Sequence, residues 1–295
     1  MTKIMLDDLN RMDQRGFAEA LGEVFENAPW VAETAHAARP FATVSALYQA
    51  MTQAVRASPE DRQLAFIKGH PDLAGKAARA GTMTRDSKAE QASAGLDRLS
   101  DEEFANFQRL NDAYRAKFGV PFIVCVRRHG KDSILRQYEQ RLQNDAVAER
   151  GAALAEIFRI VALRLDQRVA APDRLMVHGH LSTHVLDTHR GAPAIGVAIE
   201  LVEIAASGEA RPLLRTVTNA GGRTDAPLMS DGPIPIGRYE LRFAIGDYFA
   251  RQGVPVTDPP FLDLVPIRFA VAEPEGHYHV PLLVTPWSYA TYRGS

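Results

Sequence analysis

Six of the nine histidines of this chain fall at or beyond residue 178: His178, His180, His184, His189, His277 and His279. Histidine changes charge near neutral pH and, when neutral, is the commonest metal ligand among side chains. A cluster of this kind could therefore hold zinc or move protons. Around His178–His184 the residues follow a strand pattern, in which side chains of equal parity share one face. His178, His180 and His184 are thus predicted to point the same way. No cysteine and no clear carboxylate completes a tetrahedral set beside them, and no metal ion or other cofactor is expected. The last of the six heads the terminus His279-Val-Pro-Leu-Leu-Val-Thr-Pro-Trp-Ser-Tyr-Ala-Thr-Tyr-Arg-Gly-Ser295. Chain ends are ordinarily frayed, whereas this one is apolar and aromatic and is predicted to form a buried strand.

Two shorter constellations lie in the first half. His70-Pro71, within His70-Pro-Asp-Leu-Ala-Gly-Lys76, follows the helical run Arg62–Gly69. Proline drives the residue before it out of the helical region, so His70 is fixed in an extended conformation after a helix. Ser87-Lys-Ala-Glu-Gln91 has the spacing of a capping box, with a hydroxyl for an orphan amide and Glu90 reaching back. Taken alone, it marks a helix start at Ser87.

The elements that carry these residues differ between the two halves. Residues 1 to about 170 read as helices. Ser100-Asp-Glu-Glu103 is a capping box, Phe104, Phe107, Leu110, Tyr114 and Phe118 follow at helical steps, and Gly119 with Pro121 ends that helix. Ser58-Pro59 opens another, with proline in the first helical position. A helical pattern runs from about 133 to 169, with Leu154, Ile157, Val161 and Leu165 on one face. No stretch of this half requires a sheet, although Phe122–Val126 is locally strand-like. Beyond about residue 172 the period becomes two: Tyr239, Leu241, Phe243 and Ile245 alternate with polar or small residues, as do Ile267, Phe269 and Val271, and Val197, Ile199 and Leu201. Breaks at Gly191-Ala-Pro193, Asn219-Ala-Gly-Gly222 and Gly232–Gly237 separate short strands, the pattern of a β-sandwich. The predicted architecture is an all-α domain over 1–170, a short linker at Ala170–Asp173, and an all-β domain over 174–295.

Composition narrows the function classes. With 46% hydrophobic and 24% charged residues and a net charge of −2, the chain has no electrostatic case for nucleic acid or an anionic membrane. No apolar run approaches the roughly 20 residues that span a bilayer, and the first residues lack the design of a signal peptide. The lone Cys125, in the apolar run Phe122–Val126, is a core residue and fits a reducing compartment. A cytoplasmic protein acting on small molecules is expected.

Three segments of the second half belong together. Leu181-Ser-Thr-His-Val-Leu-Asp-Thr188 is followed by Gly191-Ala-Pro-Ala194; Thr218-Asn-Ala-Gly-Gly-Arg-Thr224 comes next; His279 and Tyr292-Arg-Gly-Ser295 close the series. In this order they closely resemble the signatures of 5-hydroxyisourate hydrolase in the transthyretin-like family, over roughly residues 176 to 295. The resemblance implies hydrolysis of an amide-like bond in an electron-poor ring. His184 and His279 would activate or orient water near pH 7. Arg223 would keep them neutral, bind the substrate and stabilise developing charge; Ser295, closing the site, is counted with these as catalytic, and Tyr292 and Arg293 as substrate contacts. His178, His180, His189 and His277 lack this support and are read as structural. Transthyretin, a ligand carrier, lacks both the Tyr-Arg-Gly-Ser ending and the histidine pair.

His70-Pro71 and Ser87–Gln91, with Leu110-Asn111, Tyr114, Lys117-Phe-Gly119 and Pro121-Phe-Ile-Val124, resemble a second family over roughly residues 5 to 168. This is the all-helical 2-oxo-4-hydroxy-4-carboxy-5-ureidoimidazoline (OHCU) decarboxylase. The resemblance implies His70 and Glu90 as catalytic residues and Pro71, Ser87, Gln91 and Arg164 as substrate contacts, with Arg159 and Arg168 close to Arg164 on the same helix. It also implies a cofactor-free decarboxylation. The two resemblances together imply a bifunctional enzyme that opens 5-hydroxyisourate in its second domain and decarboxylates the OHCU product to (S)-allantoin in its first. The alternative is a transthyretin-like binding or scaffold protein with a helical interaction domain. A homo-oligomer, dimer or tetramer, formed through the transthyretin-like domain is implied as well. An affinity tag fused after Ser295 is expected to depress 5-hydroxyisourate hydrolysis and leave OHCU decarboxylation intact, each rate followed on its own substrate.

Overall fold

A computed structural model describes residues 3–74 and 84–294. By contacts the chain divides into a helical unit, Met1–Arg127 with Ile134–Val177, and a sheet unit, Arg128–Ser133 with His178–Ser295.

Among the described residues the helical segments are α1 (Leu6–Arg11), α2 (Gln14–Leu21), α3 (Pro29–Ala35), α4 (Val44–Arg56), α5 (Glu60–Lys68), α6 (Arg85–Ser93), α7 (Asp101–Phe118), α8 (Lys131–Arg141) and α9 (Ala146–Arg168). Their ends follow local chemistry. Ser100 and Glu103 form the reciprocal capping box of α7, and Gly119 closes that helix at φ +69°. The helical pattern expected over 133–169 is two helices. Asp145 accepts from the Ala148 amide and starts α9 anew after the break at Asn144. Pro59 occupies the N-cap of α5 rather than its first turn. Asp173, in the expected linker, accepts from the amides of Val44 and Ser45 and the Ser45 hydroxyl. Burial raises its pKa, and those bonds together outweigh it and hold the carboxyl below the ordinary range. The helical half also contains one short parallel pair, β1 (Ile4–Met5) with β2 (Val169–Ala170). Phe122–Cys125 is buried and irregular and joins no sheet, and Val126 opens a 3-10 turn, Val126–Arg128.

The core of this unit is aromatic around one buried ion pair. Phe122 stacks on Tyr138 at 3.6 Å between ring centroids, and Tyr114 meets both rings edge-on. Arg141 on α8 donates from Nε to Glu149 of α9 at 2.8 Å, and Nη2 closes the second arm. Tyr114 and Asn144 also donate to that carboxylate. The remaining Arg141 arm donates to the Ile123 carbonyl, and the Cys125 amide donates to Glu156 at 2.8 Å. Two buried side chains thus fasten the segment Phe122–Cys125.

The sheet unit is a sandwich. One sheet runs β10 (Tyr289–Thr291), β9 (His277–Val284), β3 (His180–Asp187), β4 (Ala192–Pro193); the other runs β6 (Ala210–Val217), β5 (Ala198–Ile204), β7 (Gly237–Ala244), β8 (Leu264–Val271). Leu181, Val185, Val280 and Leu282 meet Ile199, Leu201, Leu241 and Phe243 in its core. Strand β7 ends at Ala244, and Ile245 opens a helix, α10 (Ile245–Arg251), instead of extending the strand. Asp187, at the end of β3, accepts from the Tyr248 hydroxyl on α10 at 2.9 Å. The aromatic terminus departs from expectation: β10 pairs along β9, but Trp287 and Tyr292 are 55% and 59% exposed within the chain. A three-residue edge strand has one pairing partner and little core to enter.

Truncating Arg141 would leave the Glu149 carboxylate buried without its cation, a change that typically costs about 3–5 kcal/mol. Arg141→Ala is expected to lower the urea midpoint of the helical half by a corresponding amount, read by far-UV circular dichroism.

Candidate active sites

The helical unit holds a cleft lined by Glu26, His70, Pro71, Ser87, Glu90, Gln91 and Arg164, with the apolar wall Phe122–Val124 and Val126. Each element delivers its residue for a local reason. His70 follows the C-cap of α5, where its amide bonds to the Ile67 carbonyl and Pro71 prevents further helix. Its Nδ1 lies 3.0 Å from the Phe66 carbonyl. That contact assigns the proton to Nδ1 and leaves Nε2 as the basic nitrogen. Burial lowers its pKa, partly opposed by the charge of Glu26.

Helix α6 supplies Ser87, Glu90 and Gln91. Its N-cap is Thr84, whose hydroxyl accepts from the Ser87 amide. Ser87 is therefore not the cap that its spacing with Glu90 suggests. One turn inside the helix, its hydroxyl is released to donate to Glu26 at 2.5 Å. Gln91 accepts from the Ala74 amide at 2.9 Å, and Asn111, held by Tyr138, donates to the Leu73 carbonyl. The backbone beyond Pro71 is fixed in this way.

Arg164, 4% exposed on α9, turns a two-pronged fork onto Glu90: Nε to Oε1 and Nη2 to Oε2, both at 2.8 Å. Arg159 instead pairs with Glu156, and Arg168 with Asp86 and Glu23. The guanidinium that faces the cleft is Arg164, and much of its donor capacity is committed to carboxylates. Glu26 is the residue that motif reading missed. It follows α2 in a turn, with no periodic pattern to mark a buried carboxylate.

In the sheet unit, β3 and β9 run parallel and pair His180 with His277, Ser182 with His279, and His184 with Pro281. The pleat sends Leu181, Thr183 and Val185 into the core, and His180, Ser182 and His184 to the other face. The same alternation on β9 buries Tyr278 and Val280 and turns out His277 and His279. His180, Ser182, Thr183, Arg223, Thr224, Asp225, His277 and His279 line a cleft there. His180 and His277, set aside as structural, thus border it, with ring centroids 4.7 Å apart.

The Thr218–Thr224 loop lies against β3. Thr218 donates to the Ala194 carbonyl, and Asn219 accepts from the amides of Gly221 and Arg223. Gly222 has φ +70°, and its carbonyl accepts from the Val185 amide; a Cβ there would fall 2.4 Å from the Val185 oxygen. The turn thereby bridges Arg223 to His184. Gly294 approaches His279 in the same manner, its amide bonded to the His279 carbonyl at 2.9 Å; a Cβ there would meet the ring at 2.7 Å.

Burial lowers the His184 pKa and the Arg223 charge lowers it further, against a hydrogen bond to the Gly221 backbone. The His184 Nε2 is buried with no hydrogen-bond partner among the described residues. His279 is lowered by burial, then by Arg223 and the other histidines, and its Nδ1 lies 3.0 Å from the Ser182 hydroxyl. His184, Arg223 and His279 therefore form one electrostatic group. Tyr292 is exposed, Arg293 lies over the Tyr278 ring at 4.8 Å, and Ser295 is outside the described residues. Among the described residues no three His, Cys, Asp or Glu side chains are arranged to hold a metal ion, and no helix is long and apolar enough to cross a membrane.

Comparison with known proteins divides the chain in the same order. The OHCU decarboxylase family model matches residues 10–166, and the HIUase/transthyretin family model matches residues 181–294. A 2-oxo-4-hydroxy-4-carboxy-5-ureidoimidazoline decarboxylase of Haloferax volcanii is 40% identical over 171 residues, covering 58% of this chain and 99% of the relative. A 5-hydroxyisourate hydrolase of Deinococcus radiodurans is 55% identical over 119 residues, covering 40% of this chain and 98% of the relative. The crystal structure of an (S)-allantoin synthase is 34% identical, covers 99% of this chain and 100% of its own, and superposes with a TM-score of 0.51.

Removing the Arg223 charge removes one cause of the low proton affinity of both histidines. In Arg223→Gln the His184 and His279 ring protons are expected to titrate at higher pH than in the parent, measured by NMR.

Proposed function

The chain belongs to the OHCU decarboxylase family through its helical half and to the HIUase/transthyretin family through its sheet half, and from that premise we propose how its residues divide the work. It is a bifunctional enzyme of urate breakdown, a hydrolase and a decarboxylase in one chain. We assign the decarboxylase to residues 1–170 and the hydrolase to 174–295.

In the sheet unit, the observation that carries the reading is the partnerless Nε2 of His184 beside Arg223 and His279. A neutral imidazole whose basic nitrogen has no protein partner can take a proton from water as the water oxygen attacks the ring carbonyl of 5-hydroxyisourate. A C–O bond forms, the ring C–N bond breaks, and the proton passes to the departing nitrogen. His279, with the Ser182 hydroxyl on its Nδ1, orients that water. Arg223 offers its planar fork to the oxygen on which charge develops. Tyr292, Arg293 and Ser295 border the substrate. The exposed Trp287, Tyr289 and Tyr292 support a homo-oligomer assembled through this domain.

The product, OHCU, is the substrate of the helical cleft. His70, neutral and basic at Nε2, takes the hydroxyl proton, with Glu90 bonded to that group. The C–C bond to the carboxylate breaks, CO₂ leaves, and the electron pair rests on carbon next to a carbonyl or imine. His70 returns its proton to one face of that carbon, giving (S)-allantoin. Ser87 and Gln91 meet the ring amides and Pro71 packs beside them. Arg164 holds Glu90 and directs its remaining donors toward the ureido or carboxylate oxygens.

Urate and urate oxidase supply fresh 5-hydroxyisourate, and circular dichroism follows the appearance of optically active allantoin. His70→Ala is expected to slow the second step by at least about 100-fold, so that OHCU accumulates and the product is racemic. His279→Ala is expected to stall the sequence one step earlier. A racemic product from the parent chain would refute the decarboxylase assignment.

A further inference from the structure

Glu26 lies outside every motif that points to the decarboxylase, yet its side chain is more confined than that of Glu90, 4% against 17% exposed. One oxygen accepts from the Thr84 hydroxyl at 3.0 Å; the other accepts from the Ser87 hydroxyl at 2.5 Å and from Nη2 of Arg164 at 3.3 Å. Burial raises its proton affinity, but the Ser87 hydrogen bond and the Arg164 charge outweigh that and hold its pKa below the ordinary value. Glu26 is thus a fixed anion joining the α2–α3 turn, α6 and α9. A buried ion pair is a poor source of net stability, so its placement against cleft residues calls for another account.

We infer that Glu26 is a positioning residue for decarboxylation. Its carboxylate holds the Ser87 hydroxyl and the Arg164 guanidinium, and through Arg164 the Glu90 carboxylate, in the orientations that face the substrate. It also provides the negative charge that allows buried His70 to take up a proton. The charged groups that act on His70 are Glu26, which favours its protonation, and Arg164, which opposes it; Glu90 lines the same wall. Without the Glu26 charge, burial and Arg164 would act on the imidazole unopposed by a carboxylate on that side. The inference rests on the helical cleft being the decarboxylase site.

Glu26→Gln keeps the side-chain size and removes the charge. The His70 ring protons, followed by NMR, are expected to titrate about one pH unit lower or more than in the parent. The acid limb of the decarboxylation pH profile is expected to move the same way, with kcat down about 10-fold or more. Hydrolysis of 5-hydroxyisourate by the same chain is expected to be unchanged. A carboxylate that merely braced the fold would lower the rate without moving the limb or the titration. Glu26→Asp retracts the charge and serves where Glu26→Gln loses its helical circular dichroism; a smaller downward shift is expected there. No shift in His70 titration in the folded variant overturns the inference, whatever the rate does. Absence of decarboxylation by the parent chain would instead refute the reading of the cleft, and the titration would still decide whether Glu26 acts on His70.

Discussion

A guanidinium can leave water only where carboxylates and carbonyls take up its donors, and the helical half is arranged around two such groups. Arg141 is answered by Glu149 and the Ile123 carbonyl, Arg164 by Glu90 and Glu26. Both sets converge on α9, whose buried face carries Glu149, Glu156, Arg164 and Asp166 among its apolar residues. A helix needed only for packing would present an uninterrupted apolar stripe. Here the charges at one end secure the buried segment Phe122–Cys125, and Arg164 toward the other end secures Glu90. The apolar wall and the polar wall of the cleft are consequently fastened to one rod.

The sheet half obeys a different constraint, the two-residue period of the strand. Because β3 and β9 are neighbours and parallel, alternate residues of both project from the same face, and His184 and His279 arrive there together. The core contacts of Leu181, Val185, Val280 and Leu282 hold the register. A one-residue slip would send the histidines inward and these apolar side chains outward. Stability and chemistry therefore select the same register. Gly222 and Gly294 complete the arrangement by allowing the Arg223 turn and the chain end to approach the two imidazoles closely.

Much of this was legible in the sequence because it depends on local pattern. The capping box at Ser100, the stripe from Phe104 to Phe118, and the change of period beyond residue 172 are consequences of short-range physics. They give the helical half, the sandwich and their order. Three features were not legible, each for a physical reason. Thr84 caps α6 in place of Ser87 because Glu26, some sixty residues away in sequence, takes the Ser87 hydroxyl. Glu26 itself occupies a turn where no periodicity distinguishes a buried carboxylate from a solvated one. The aromatic terminus was expected to be buried because apolar composition reports an affinity for burial, whereas the partner that would bury it need not belong to the same chain.

On the proposed assignment, the histidines of the two clefts meet fixed charges of opposite sign. A hydrolytic base must remain unprotonated until water is in place, and a neighbouring cation secures this by making the imidazolium unfavourable. Arg223 bears on His184 and His279 in that sense. Decarboxylation with stereospecific protonation requires an imidazole that first accepts a proton and then returns it, so its protonated form must be reachable inside a buried cleft. Burial alone would make that form too costly, and the Glu26 charge acts on His70 against burial. The fixed charge that acts most on each imidazole is thus positive in one cleft, where it disfavours the imidazolium, and negative in the other, where it favours it.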